Sequence, residues 1–145
     1  MNELKRSNDR KTANMSTRSG DKWQSKIKNA FGLPAGKEFS CVGETPFCGG
    51  ICYGKRIEGY LPSVSRLLMH NWELVRNKDT LSITDLLIPM MLEFVEDCDK
   101  HGAEKMFRIH WDGDFFSPEY TYAWSLTIRA FPEVQFWAYT RNAEA

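Results

Sequence analysis

The feature that most constrains the fold is an apolar strand, an amphipathic helix and a second apolar strand, which follow one another near the end of the 145-residue chain. Strands are predicted over 105–111 and 134–140. The helix between them is predicted over 118–130, with Ser117 as a candidate cap and a proline in its first turn. A crossover of this length joins parallel strands in the right-handed sense. Ligands of such sheets bind beyond the carboxyl ends of the strands. Those ends are Asp112-Gly113-Asp114 and Thr140-Arg141.

Two further helices are predicted upstream. Ser63 caps one that runs over 63–77, and Thr84 or Ser82 caps a second that stops at Gly102. Alternating helices and parallel strands define an α/β fold, and we expect a partial parallel (β/α) barrel-like sheet. The last strand has no helix after it to cover it. We therefore expect a C-terminally truncated chain, roughly half of a larger barrel.

The first 30 residues of the chain differ in charge from the rest. Residues 1–30 contain eight Lys and Arg against three Asp and Glu, a net charge of +5 in a chain that is neutral overall. Residues 1–22 predict a flexible basic arm, and residues 23–145 predict the N-terminal part of the barrel-like domain. The basic residues 1–30 are interpreted either as a solvated tail or as a weak contact for nucleic acid.

Three cysteines, Cys41, Cys48 and Cys52, fall within twelve positions of a glycine-rich segment. The segment 41–59 predicts irregular backbone, and a short strand over 37–40 leads into it. The polar beginning of the chain lacks an apolar signal and no segment predicts a membrane helix, so we expect a cytoplasmic protein with reduced thiols. Reduced thiols favour metal binding over disulfides.

The number of cysteines bears on which metal they hold. Three cysteines suit a [4Fe-4S] cluster with one open iron, whereas structural zinc normally takes a fourth ligand. Cys98 and His101 lie one helical turn apart and are candidates for completing a zinc site. Cys98, however, continues an apolar helical stripe, which predicts a core position. Iron–sulfur, zinc and incidentally placed thiols all stay open at this point.

The polar residues at the strand ends are the second candidate site. Asp112 and Asp114 can accept hydrogen bonds from an ammonium group or a ribose, and Gly113 allows close backbone approach. The sequence Asp-Gly-Asp is also common in ordinary turns, so a purely structural turn is the alternative. His110 is interpreted as a structural histidine or a cavity residue, and Arg141 as an anion contact.

The chain resembles the phage gene product 88 family through the loop 41–53 and the runs FRIHWDGDFFSPEY, from Phe107, and FWAYTR, from Phe136. This resemblance implies a phage or prophage origin, and hence the cytoplasm of the host cell.

More remotely, the layout is similar to that of radical S-adenosylmethionine enzymes. That resemblance implies a cluster held by the three cysteines, with Tyr53 beside it and Gly113 and Asp114 at the methionyl amine of S-adenosylmethionine. The leading hypothesis is a cluster-binding enzyme of this type with an unknown substrate. The alternative is a non-enzymatic, zinc-stabilised module associated with nucleic acid.

Overall fold

The order of elements in the computed structural model, which describes residues 2–9 and 27–145, is a short strand, four helices, a strand, a helix and a strand. The elements are β1 (Ala30–Phe31), α1 (Pro46–Ile51), α2 (Tyr53–Tyr60), α3 (Pro62–Val75), α4 (Thr80–His101), β2 (Met106–Ile109), α5 (Pro118–Ala130) and β3 (Gln135–Ala138). None of the helices in these two ranges has the length and apolar character needed to cross a membrane.

The three strands form one parallel sheet in the order β1-β2-β3. Phe31 pairs with Ile109, and Arg108 pairs with Trp137. The predicted parallel pair and its helical crossover are therefore confirmed, although each strand is shorter than the predicted range. The described sheet has three strands, so closure toward a barrel stays a prediction.

Helix α4 begins earlier than the sequence predicted. Asp79, not Ser82 or Thr84, is its N-cap, because the Asp79 carboxylate accepts the backbone N–H of Ser82 at 2.7 Å. The helix continues through Pro89 and ends at Gly102, whose φ of 64° is the left-handed conformation expected of a C-cap glycine. Its predicted end is confirmed.

The segment before α3 differs from its prediction in two ways. Residues 37–40 form a hydrogen-bonded turn instead of a strand, in which the N–H groups of Phe39 and Cys41 both donate to Gly36 at 3.0 Å. Residues 41–59 are not irregular throughout, because α1 and α2 lie within them. Helix α3 begins at Pro62, one residue before the predicted Ser63 cap.

The core lies between the sheet and helices α4 and α5. Ring contacts join these layers, with Phe94 on α4 at 5.0 Å from Phe107 on β2, and Phe107 at 6.2 Å from Trp124 on α5. Cys98 is fully buried in this core. Its predicted core position is confirmed, and its thiol donates to the Glu104 carbonyl at 3.7 Å.

The beginning of the chain packs onto the same core. Ser7 forms an antiparallel bridge with Ala30, with N–H···O distances of 2.7 and 2.9 Å. Leu4 and Arg6 are buried. Residues 2–9 of the predicted flexible arm are thus part of the folded body, because an edge of β1 is open to them and α4 offers carboxylates to Arg6. The remainder of that arm lies outside the described residues.

Candidate functional site: a cysteine-lined cavity

A cavity of about 180 Å³ opens where β2 and β3 end. The turn after β1, the cysteine segment and both strand exits all contribute to its wall, which is lined by Ala35, Cys41, Glu44, Cys48, Cys52, Arg108, His110, Trp111, Asp112, Gly113, Asp114, Tyr139, Thr140 and Arg141. The sequence predicted that the three cysteines and the strand exits share one place, and the cavity brings them together. The position agrees with the usual ligand site of parallel sheets.

Local backbone features carry the cysteines to this wall. Gly43 packs so closely on the backbone of Arg141 that a Cβ at Gly43 would collide with the Arg141 carbonyl oxygen. The Thr45 hydroxyl caps α1 by accepting the N–H of Cys48 at 3.1 Å. Cys52 is the residue between α1 and α2. The three thiols are half-buried and none is in a disulfide.

The placement of these thiols does not by itself make a metal site. Within residues 2–9 and 27–145, no group of three or more His, Cys, Asp or Glu side chains is arranged so that it could hold a metal ion. Burial raises the pKa of Cys41 to about 11, and the negative charge of Asp114 adds to this effect. A bound metal would have to displace that proton.

An ion pair closes one side of the cysteine segment. Lys55 on α2 pairs with Glu44, and the hydrogen bond between them lowers the pKa of the Glu44 carboxyl group and raises the pKa of the Lys55 ammonium. The ammonium is also close enough to Cys41 and Cys52 for electrostatic interaction with both side chains to raise the pKa of Lys55 further. Lys55 therefore supplies positive charge beside two of the three sulfurs.

Asp114 ties the two strand exits together. Its Oδ1 accepts the Thr140 hydroxyl and the N–H of Phe115, both at 2.7 Å, and its Oδ2 accepts the N–H of Arg141 at 2.7 Å. Gly113 has a φ of 85° and lies against Ser40 and Leu33, where any side chain would collide. Both residues thus have a structural role in the turn.

Asp112 is a buried carboxyl group. Its side chain lies so close to Gly54, in the first turn of α2, that a Cβ there would collide with Oδ1. Burial, followed by the hydrogen bond with Glu58 on α2, raises the pKa of Asp112 to about 9. Asp112 is therefore uncharged at neutral pH and can donate its proton in the hydrogen bond with Glu58.

His110 lies between the strand and the turn with its ring inside the protein. Its φ of 68° is unusual for a residue other than glycine. Nε2 shares a hydrogen bond of 2.6 Å with the Tyr120 hydroxyl, and the rings stack. Burial, with the nearby charge of Arg108, lowers the pKa of His110 to about 3, so the ring is neutral.

The remaining predicted residues divide into two groups. Arg141 lines the cavity and donates its backbone N–H to Asp114. Tyr53 does not line the cavity, and its side chain is 69% exposed, so its predicted place beside a cofactor stays a prediction. Glu58 and Ser40 were missed, because the contacts that give them a role join distant parts of the chain and leave no local pattern.

These features define an α/β protein with a cysteine-lined cavity at the carboxyl end of a parallel sheet. The chain belongs to the Gene product 88 family, whose profile matches residues 2–145. It is 52% identical over 142 residues to the Gene 88 protein of Mycobacterium phage D29 and 51% identical to that of Mycobacterium phage L5, matches that cover 97% of this chain.

The chain spans 59% of the length of both relatives. No solved structure matches it. The predicted membership of a phage family is thus confirmed, whereas the similarity to radical S-adenosylmethionine enzymes stays a prediction.

Proposed function

We propose that this chain binds an iron–sulfur cluster through Cys41, Cys48 and Cys52. The observation that supports the proposal is that the three cysteines line one cavity together with the exits of β2 and β3. Thiolates are the usual ligands of such clusters, and backbone amides of a glycine-rich segment can hydrogen-bond to cluster sulfides.

The three cysteine sulfurs can ligate one cluster if residues 41–52 bring them closer together than they are in this structure. Helix α1 has no buried residue, so it can shift without breaking core contacts. Gly49 and Gly50 lie between two of the ligands and allow that change of backbone. Lys55 would offset part of the negative charge that three thiolates bring.

The cavity also supports a role for the cluster in catalysis. A cluster held by three cysteines has an open iron that can bind a cofactor and pass it an electron. The residues at the ends of β2 and β3 would face that iron. Asp114 joins these two strand ends by hydrogen bonds, and Gly113 packs against Ser40. We propose S-adenosylmethionine as that cofactor, on the resemblance to radical S-adenosylmethionine enzymes, and leave the substrate open.

Anaerobic reconstitution tests the cluster. The purified chain is incubated with iron and sulfide, and bound iron, acid-labile sulfide and the visible absorption spectrum are measured. We expect about four irons per chain, and a loss of most of them in Cys41→Ser, Cys48→Ser and Cys52→Ser. Cys98→Ala is the matched control, since Cys98 lies in the core and should leave iron uptake unchanged.

Two other outcomes would change the proposal. Stoichiometric zinc in the purified protein, with no iron uptake, would replace the cluster with a structural metal site and favour the nucleic-acid-associated module. Iron uptake without binding or reductive cleavage of S-adenosylmethionine would retain the cluster and remove the enzyme class. The longer phage relatives should be assayed beside this chain, since it spans 59% of their length.

A further inference from the structure

The outer edge of β3 has no strand paired with it among the residues that the structure describes. At the other edge of the sheet, Ser7 forms a bridge with Ala30 of β1. None of the four residues of β3 is buried, whereas Phe107 and Ile109 of β2 are at most 1% exposed. Strands of parallel sheets are usually buried on both faces. β3 is therefore the less covered side of this sheet.

The hydrogen bonds of β3 show which of its amides point outward. The N–H of Gln135 donates to the Lys105 carbonyl, directly before β2, at 2.8 Å. Alternate residues of a strand bond to the same neighbour, so Trp137 also faces β2, whereas the N–H and C=O groups of Phe136 and Ala138 point to the outer edge. Such unpaired groups are a template for a further strand.

A groove of about 270 Å³ on α5 adjoins this edge. The residues that line it are Phe115, Thr121, Trp124, Ser125, Ile128 and Arg129. Trp124 packs on Phe136 of β3, with ring centroids 6.3 Å apart, so the groove and the strand edge are neighbours. Ile128 is 38% exposed. Four lining positions of α5 recur at steps of three and four residues, as on a helix face that packs against another helix.

The winding of the sheet indicates what would cover both features. Each strand lies beside the one before it, and α4 and α5 pack against the same core. One more step in the same right-handed sense places a helix beside α5, over the groove, and a parallel strand beside β3. The two phage relatives have additional chain for such a step, because the match covers 59% of each and about two fifths lies outside it.

We infer that the edge of β3 and the groove of α5 form one docking surface for a helix and a strand from that remaining part of the gene 88 proteins. The helix fills the groove with apolar side chains, and the strand pairs with Phe136 and Ala138. A second copy of this chain fits less well. A twofold axis at this edge would bring two identical grooves together, and neither would supply the side chains that fill the other.

The inference is independent of the proposed cluster, because none of the four cysteines lines the groove. Its test combines this chain with the part of the phage D29 relative that lies outside the match. That polypeptide is co-expressed with the tagged chain, and in a chimera it is fused to the chain in the position that it has in the relative. Co-purification measures binding, and amide exchange by NMR compares β3 in the chimera and in the chain alone.

We expect a one-to-one complex, and exchange of the Phe136 and Ala138 amides that is slower by about ten-fold or more in the chimera. The chimera decides the question if the separate polypeptide is insoluble. Unchanged exchange of both amides in the chimera would overturn the inference.

Variants locate the surface. Ile128→Asp puts a charge into the groove and should abolish co-purification and restore fast exchange, and the partial exposure of Ile128 lets the variant fold. Leu92→Asp is the matched control, because Leu92 is a 50% exposed residue of α4 outside the groove. Ala138→Pro removes an outward N–H without breaking a bond to β2 and should weaken binding as well. The Tm of each variant alone checks its fold.

Two further results would overturn the inference. Equal losses of binding in Ile128→Asp and Leu92→Asp would place the partner elsewhere on the molecule. A homodimer of the chain alone that Ile128→Asp dissociates would assign the surface to a second copy.

Discussion

The carboxylate of Asp114 and the backbone N–H of Arg141 are joined by a hydrogen bond of 2.7 Å that links the ends of two neighbouring strands. The other carboxylate oxygen accepts the hydroxyl of Thr140. Through these two bonds, the turn after β2 fixes where β3 leaves the sheet. The shape of the cavity mouth therefore depends on one buried acidic side chain.

We expect Asp114→Asn to lower the free energy of unfolding by roughly 1.5–3 kcal/mol, the usual worth of a hydrogen bond to a charged group. An amide nitrogen cannot accept the Arg141 N–H, so one contact of the three is lost. Urea unfolding measures the change. Asp85→Asn, on the exposed face of α4, is the control and should stay within about 0.5 kcal/mol of the wild type. Equal effects of the two substitutions would contradict the structural role of Asp114.

Gly54→Ala should destabilise the protein even though alanine is the better helix former. The added Cβ would collide with the Asp112 carboxyl group, and overpacking of this kind typically costs about 1–3 kcal/mol. Gly59→Ala is the matched control on the same helix. Nothing lies within 4 Å of a Cβ there, so we expect a gain of up to about 1 kcal/mol. Chemical denaturation of both variants checks the sign, and a stabilised Gly54→Ala would show that α2 does not pack on Asp112.

The elements that the sequence predicted well are those with local signals. Ser117 caps α5, accepting the N–H of Tyr120 at 3.2 Å, and Pro118 occupies its first turn, so the helix has the predicted bounds. The strands on either side were found but placed too long, because their ends depend on which neighbours continue the ladder. That information lies in other parts of the chain.

The misses also have physical reasons. The glycines of residues 41–59 suggested irregular structure, but the Thr45 cap and Pro46 at the first position start a helix in spite of them. The beginning of the chain was interpreted from its charge alone. Arg6 is buried because it forms ion pairs with Glu93 and Asp97, which lie one helical turn apart on α4. A contact between residues so far apart in the sequence leaves no local pattern.

The neutral state of His110 predicts a dependence of stability on pH. The unfolded chain takes up a proton near pH 6.5, whereas the folded protein resists it until about pH 3. In that window the unfolded state binds more protons, so the free energy of unfolding falls as the pH falls, by at most about 1.4 kcal/mol per pH unit from this group. His110→Asn removes the titration, and asparagine tolerates the left-handed backbone.

Urea unfolding at about pH 7 and about pH 5 measures this difference. We expect the wild type to lose more stability than His110→Asn between the two values, since all other titrating groups are shared. Parallel losses would indicate that the imidazole is protonated in the folded protein. They would also weaken the case for a neutral ring in the cavity wall.

Arg6 gives the sharpest test of how the beginning of the chain is held. Its side chain is 3% exposed and pairs with Glu93 at 3.0 Å and Asp97 at 2.5 Å. Nη1 also donates to the backbone carbonyl of Lys28 at 2.6 Å. We expect Arg6→Ala to cost about 2–3 kcal/mol, from lost packing and the lost hydrogen bond to the Lys28 carbonyl, because both carboxylates remain partly solvated.

Hydrogen exchange should locate this loss. In Arg6→Ala the amide of Ser7, which bonds to Ala30 at 2.7 Å, should exchange faster, because the segment opens without global unfolding. Lys5→Ala is the control: the Lys5 side chain is exposed, and its backbone bonds to Asn71 do not need it. Unchanged protection of Ser7 in Arg6→Ala would mean that the bridge to β1, and not the buried guanidinium, holds residues 2–9 in place.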